Sequence, residues 1–275
     1  MTYRTYAYRT HLSEKPRLPL MPHSCDDFCR MSPFLKFTFC LTFAALLASC
    51  TVARPPAASH YGHDVYGHRP GPKGFRTIII DAGHGGKDSG AVSPFTQQKE
   101  KDLALDTAKR IGRALGHDFK VILMRSDETF IDLDERVVRA DRSGAAVLIS
   151  IHYNSGPSNC RGPETYYWRV DSHGLATRLH QAMCRNCPTG NSCRGLVRRR
   201  IRLTRNPQIP CVLLECGYLS NSVESRLVSD ANYRQKLATA IASAIRTQSA
   251  IGDAGTGPLP RPIDSPPSRP TDAKE

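Results

Sequence analysis

Two histidines stand at the ends of short apolar runs, each beside residues that can carry charge. Asp81-Ala-Gly-His84-Gly-Gly follows Thr77-Ile-Ile-Ile80, and Ser150-Ile-His152-Tyr-Asn154 closes the run that begins at Ala145. A third run, Val212-Leu-Leu214, leads into Glu215-Cys-Gly-Tyr-Leu-Ser-Asn221. If these runs are strands of one open α/β sheet, their carboxyl ends share a crevice, and residues far apart in sequence meet there. Two imidazoles and acidic groups at one sheet edge suit a zinc ion with an open coordination position. Taken one by one, the same residues have a plainer account: histidines satisfied as ordinary polar groups, and glycines 83, 85 and 86 that only make a turn.

For that meeting to occur, strands and helices must alternate, and the hydrophobic pattern predicts that they do. Strand-like runs cover 77–80, 121–124, 145–151, 164–168 and 212–214. Apolar residues recur at helical spacing over 103–115 (Leu103, Ala104, Ala108, Ile111, Leu115), 133–140, 175–183 and 233–245. The alternation predicts a single α/β domain: a largely parallel, twisted sheet flanked by helices, with the site at the carboxyl ends of the strands.

With 275 residues, 40% of them hydrophobic and 23% charged, the chain is too apolar for wholesale disorder. Its 38 Lys and Arg against 25 Asp and Glu give a net charge of +13 and favour anionic partners. Aromatics at 7%, with one Trp, do not suggest a nucleic-acid reader built on stacking, and no nucleic-acid partner is expected. Residues 31–49 read as an export signal, with Lys36 ahead of an apolar stretch over 37–48 that is short for a membrane span. Met31 is then the expected start, and 1–30 an upstream extension. Leu47-Ala48-Ser49-Cys50 is similar to the lipobox of bacterial lipoproteins, which implies cleavage before Cys50 and a lipid on its sulfur. The expectation is an exported lipoprotein, anchored in the membrane through Cys50 and facing the periplasm, the outer membrane favoured over the inner. Residues 50–74 read as a tether, with His60, His63 and His68 solvated; 75–248 form the folded domain, and 249–275 a Pro-rich disordered tail.

Six segments carry a more specific likeness: Ile80-Asp-Ala-Gly-His84-Gly-Gly-Lys-Asp88-Ser-Gly90, Glu100-Lys101-Asp102, Arg125-Ser-Asp127, Leu133-Asp-Glu-Arg136, Ile149-Ser-Ile-His152-Tyr-Asn154 and Leu214-Glu215-Cys-Gly217-Tyr-Leu-Ser220-Asn221. In their order and spacing, over residues 76–248, the chain resembles the zinc-dependent N-acetylmuramoyl-L-alanine amidases, bacterial cell-wall hydrolases with an α/β catalytic domain. The resemblance implies that His84, Glu100 and His152 bind one Zn2+ and that Glu215 is the catalytic glutamate. Asn154 and Arg136 become candidate substrate-binding residues. It further implies hydrolysis of the amide between N-acetylmuramic acid and L-alanine in peptidoglycan, in wall remodelling at division.

The implied division of labour is physically sensible. A His-Glu-His site leaves room on zinc for water, lowers that water's pKa toward about 7 and polarises the lactyl carbonyl. Glu215 can take the water's proton and pass it to the nitrogen of L-Ala, and its place at the end of an apolar strand would raise its pKa. Glu100 precedes a helical pattern, where a carboxylate is favoured electrostatically; a mere capping charge is the alternative. Two other readings use the same residues: an inactive peptidoglycan-binding lipoprotein cross-linked through its cysteines, and a zinc peptidase acting on stem peptides.

Departures and extras complete the reading. Ala82 stands where many relatives have Pro, and Asp141 where Asn is common. The six cysteines after Cys50 (160, 184, 187, 193, 211 and 216) allow fifteen pairings. Local disulfides are favoured over free thiols and links to other envelope proteins. A second metal site at Cys184, Cys187 and Cys193 comes last, for want of a fourth ligand. Arg194, Arg198, Arg199, Arg200, Arg202 and Arg205 suit the carboxylates of stem peptides or anionic lipid, and equally a solvated basic face. Only 62 residues separate His152 from Glu215, little room for a helix that occludes the site, so no activator protein is expected to be required.

Overall fold

The computed structural model describes residues 70–189 and 195–261. The expected extension, export signal, Cys50, most of the tether, Cys193, Arg194 and the stretch from 262 onward lie outside the described residues.

Six strands form one sheet in the order β2-β1-β3-β6-β4-β5. Its centre is β1 (Thr77–Ala82), β3 (Val147–Asn154) and β6 (Cys211–Tyr218), whose residues are nearly all buried. Such near-continuous burial is what strands covered on both faces require. β2 (Lys120–Leu123), β1, β3 and β6 run parallel. β4 (Glu164–Tyr167) runs antiparallel to β6, and β5 (Leu196–Arg198) runs parallel to β4. The sheet is therefore largely parallel, as expected, with one reversed pair at its edge. That reversal brings the first residue of β4, Glu164, to the end of the sheet where β1, β3 and β6 finish.

Helices cover the two faces unequally. α1 (Glu100–Leu115), α3 (His173–Asn186) and α6 (Ala231–Ile251) share one core with Ile78, Ile80, Ile149, Ile151 and Leu214. The five apolar positions that predicted α1 all belong to this core. On the other face α2 (Leu133–Arg142) and α4 (Arg202–Arg205) cover a smaller cluster around Ile79, Leu148 and Leu203. α5 (Ser222–Ser229) follows β6 directly. The fold extends past residues 75–248 at both ends: α6 continues to Ile251, Gly71 N donates to Asp253 Oδ2 at 2.6 Å, and Gly74 N to Ser249 O at 2.7 Å.

Among the described residues no disulfide links Cys184, Cys187 or Cys216. Cys211 packs in the small cluster and Cys216 in the large one, so the sheet itself lies between their side chains. Cys184 Sγ instead lies 3.4 Å from His180 Nε2, one turn back on α3.

α2 is fastened to the sheet by charge. Arg136, 3% exposed, donates through Nη1 to Asp81 Oδ1 at the end of β1, and Ser150 Oγ on β3 donates to Asp81 Oδ2 at 2.8 Å. Removing one partner of a buried ion pair leaves the other charged and uncompensated. Asp81→Asn is therefore expected to lower the unfolding free energy by about 3–5 kcal/mol in denaturant titration. A loss below about 1 kcal/mol, the value of an exposed pair, would show that the pair does not hold α2.

Candidate metal centre

Where β1 ends, two arginines grip the backbone. Arg125 donates through Nε to Ala82 O (2.9 Å) and through Nη2 to Gly83 O (2.7 Å) and Lys101 O (2.8 Å). Arg136 donates through Nη1 to Ala82 O (3.0 Å) and through Nη2 to His84 O (2.7 Å). Three successive carbonyls are thus fixed, and His84 is held at φ 57°, a left-handed conformation that non-glycine residues rarely adopt. Gly83 lies so close to the His152 ring that any β-carbon there would collide with it. Arg136 therefore does not line the groove that the site opens on; it positions the loop that carries His84.

Glu100, the first residue of α1, is 5% exposed. Its Oε1 lies 3.0 Å from His84 Nε2 and 3.0 Å from His152 Nδ1, and it accepts Tyr153 N at 3.1 Å. Its Oε2 accepts Ala91 N at 2.9 Å. Burial penalises the Glu100 charge, but hydrogen bonds and charge from His152 and His84 outweigh it and hold the carboxyl well below the usual range. Burial likewise opposes protonation of His84, yet Glu100 and then Asp88 raise its pKa to about 9. Asp88 Oδ2 lies 2.8 Å from His84 Nδ1, which turns Nε2 toward Glu100.

These contacts make a candidate ligand set. One nitrogen from each imidazole and one carboxylate oxygen lie within 4.8 Å of one another. Two nitrogens and one oxygen, converging from a loop, a helix start and a strand and open on one side, fit a zinc ion with a free coordination position. Glu100 is thus more than a capping charge.

The triad faces a groove of about 540 Å³ that also contains Asn154, Glu215 and Tyr218. Glu215 on β6 is the register partner of His152 on β3, so both side chains leave the same face of the sheet. Beyond this pair β6 bulges: Asn154 pairs with Tyr218, and Gly217 takes φ 147°. The extra residue returns Tyr218 to the groove face. Opposite Glu215 on β4 lies Glu164, fully buried, a residue that motif reading missed. It accepts from Tyr166 Oη (2.5 Å), Asn154 Nδ2 (3.2 Å) and Tyr218 Oη, so one carboxylate sets three groove side chains. Its only signal in sequence is an acidic residue opening an aromatic strand.

The remaining motif residues build the wall. Asn221 caps α5 by accepting from Val223 N (3.0 Å) and Glu224 N (3.1 Å), and its Nδ2 donates to Ser158 O at 2.8 Å. Ser220 Oγ accepts Gly156 N at 2.9 Å. Both hold the loop after β3 against the groove. The structure thus brings His84, Glu100, His152, Asn154 and Glu215 together, as expected, and leaves Arg136 behind them.

Comparison with known proteins agrees with this geometry. The family model for N-acetylmuramoyl-L-alanine amidases, Amidase_3, matches residues 78–247. The chain belongs to this amidase family. The catalytic domain of CwlV, an N-acetylmuramoyl-L-alanine amidase from Bacillus (Paenibacillus) polymyxa var. colistinus, is 38% identical with a TM-score of 0.59, covering 62% of this chain and 97% of that one. The CwlD amidase from Clostridioides difficile, solved in complex with the GerS lipoprotein, is 31% identical with a TM-score of 0.59 over 62% of this chain and 97% of that one. A Staphylococcus aureus protein named "Probable cell wall amidase LytH" is 32% identical over 174 residues, 62% of this chain and 57% of LytH. The chain therefore spans little more than half the length of that relative.

The amidase site leaves no room at Gly90. With φ +61°, a β-carbon there would stand 2.6 Å from Glu100 Oε2 and 2.7 Å from His84 Cδ2. Gly90→Ala should push the two candidate ligands His84 and Glu100 apart and weaken any zinc binding by about tenfold or more, read by competition with a chromophoric chelator. Unaltered affinity in the folded variant would mean that the ligand positions do not depend on this contact.

Proposed function

We propose that this amidase hydrolyses the bond between N-acetylmuramic acid and L-alanine with one zinc ion held by His84, Glu100 and His152, and with Glu215 as the proton carrier. The observation that carries the reading is the register pair: Glu215 sits directly opposite the ligand His152, on the same sheet face and in the same groove. When bound, zinc supplies Lewis acidity, polarising the scissile carbonyl and making water a competent nucleophile near neutral pH. The protein does the rest. Glu215 accepts a proton from the attacking water as the carbon–oxygen bond forms, then delivers it to the nitrogen of L-alanine as the carbon–nitrogen bond breaks. Asn154 and Tyr218, pinned by Glu164, shape the wall beside the scissile amide.

Activity without an activator protein belongs to the same reading. Between His152 and Glu215 the described chain contributes β4, a short 3-10 turn, α3, β5 and α4; α3 packs on the opposite side of the sheet with α1 and α6, and α4 lies on the groove face without lining the groove. No described helix of that interval covers the groove.

Anchoring rests on sequence alone. Leu47-Ala48-Ser49-Cys50 supports export and lipidation at Cys50, with the domain held at the membrane facing the periplasm. No helix among the described residues is long and apolar enough to cross a membrane.

Digestion of purified sacculi by the zinc-loaded protein should release stem peptides beginning with L-alanine, detected by mass spectrometry. Shortened stems still attached to muramic acid would replace the amidase reading with a peptidase. Glu215→Gln should retain zinc and lose about 10²–10⁴ in kcat; a kcat close to wild type would remove Glu215 from the chemistry. Cys50→Ala should move the protein from the membrane fraction to the soluble one and abolish labelling by a fatty-acid analogue. Persistent labelling would place the lipid elsewhere.

A further inference from the structure

The arginine-rich stretch near β5 divides into groups with different work. Arg198 donates through Nε to Trp168 O at 2.7 Å and packs its guanidinium 5.3 Å from the centre of the Trp168 ring. Arg202 pairs with Asp134 on α2, and Arg205 is buried. Arg199 differs from all of these. It is exposed, it is the one arginine lining the groove among the described residues, and its guanidinium lies 6.0 Å from the centre of the Tyr166 ring. Among the described residues that side chain has no ion-pair partner.

The platform beneath it is rigid. Tyr166 pairs across the sheet with Leu213 on one side and Val197 on the other, packs with Ile201, and is pinned at its hydroxyl by buried Glu164. A guanidinium placed over an aromatic face, with apolar neighbours limiting its hydration, is suited to gripping a planar carboxylate with two parallel hydrogen bonds. At the other end of the groove stand the carboxylates of Asp88, Glu100 and Glu215, so the groove is acidic near the ligand set and cationic at its far wall.

Sheet geometry sets the span. β3, which carries His152, and β5, which leads into Arg199, are separated by β6 and β4, three inter-strand steps of ~4.8 Å. The row containing Leu213 and Tyr166 lies two residues, ~7 Å, back along the strands from the row containing His152, Glu215 and Glu164. Allowing for the length of the arginine side chain, its head lies on the order of 10–15 Å from the candidate ligand set, the reach of two to three extended residues (~7–11 Å) together with a carboxylate-bearing side chain of ~4 Å.

We propose that Arg199 binds a carboxylate of the stem peptide, borne by the second or third residue beyond the muramoyl amide, and so selects stems that are free acids there over stems amidated there. The inference rests on the amidase reading above. It makes Arg199 a specificity residue: it acts on binding of the stem and leaves proton transfer to Glu215.

The test uses N-acetylmuramoyl tripeptides with free acids, with the second residue amidated, with the third amidated, and with both amidated. For the zinc-loaded protein, amidation at one of the two positions should raise KM about tenfold or more with kcat little changed, and that position identifies the carboxylate. Arg199→Ala should raise KM for the free acid by a similar factor and lose the discrimination, while Arg199→Lys recovers part of it. Calorimetric binding of the same compounds to Glu215→Gln, with and without Arg199→Ala, reads the discrimination without turnover. Equal KM and equal affinity for acid and amide forms, or discrimination that survives Arg199→Ala, overturns the proposal. Failure of the folded, zinc-bound protein to cleave any compound counts against the amidase reading alone, because the binding arm still decides the role of Arg199.

Discussion

Two buried guanidinium groups hold three consecutive carbonyls, and the rest of the site depends on that grip. Arg125 and Arg136 share Ala82 O, and each takes one of the next two carbonyls. Bringing two cations this close inside the protein is unfavourable: burial, and then the charge of Arg136, make the Arg125 guanidinium a stronger acid than usual. Asp81 offsets the cost from the end of β1, itself steadied by Ser150. The outcome is a histidine locked in a backbone conformation it would not choose, with its ring stacked edge-on against His152, the centroids 4.9 Å apart. The geometry of the candidate metal site thus originates one layer beneath its side chains.

The same logic runs through the groove. Glu164 is to the substrate wall what Asp81 is to the loop: a buried carboxylate whose acceptor sites are filled by the groups it must position. Each of the two sits under one half of the site, and neither faces the reaction. Buried acids of this kind fix a unique arrangement, since every alternative leaves a polar atom in the core without its partner.

Much of this was legible in sequence, and the failures have physical reasons. The central strands were readable because strands buried on both faces must be apolar throughout, and α1 because its core face repeats at helical spacing. His84, His152 and Glu215 were suggested by where they fall, at or just beyond the ends of those strands, and Glu100 by the family likeness. Direction was not readable for Glu164–Tyr167, since four residues buried throughout look alike whichever way the strand runs. β5 and α4 have three and four residues, too few to express a period. Arg136 looked like a substrate residue because a charged side chain in a motif invites that reading. Its burial against Asp81 is a long-range fact, 55 residues away in sequence, which no local pattern carries. Asn221 likewise belongs to a motif for its cap and its grip on the loop at Ser158.

The reversed edge of the sheet separates the enzyme into two parts that can change independently. The loop after β1, the start of α1 and β3 supply the three candidate ligands before residue 155, and β6 returns with Glu215 after residue 210. Everything between is an excursion that leaves β3 at the sheet centre, builds the edge pair, and re-enters beside the strand it left. Substitutions inside that excursion can reshape the far wall of the groove while the ligand frame stays as it is. The fold thus separates the frame of the candidate metal site from the wall beside it, an arrangement open to new wall chemistries without rebuilding that frame.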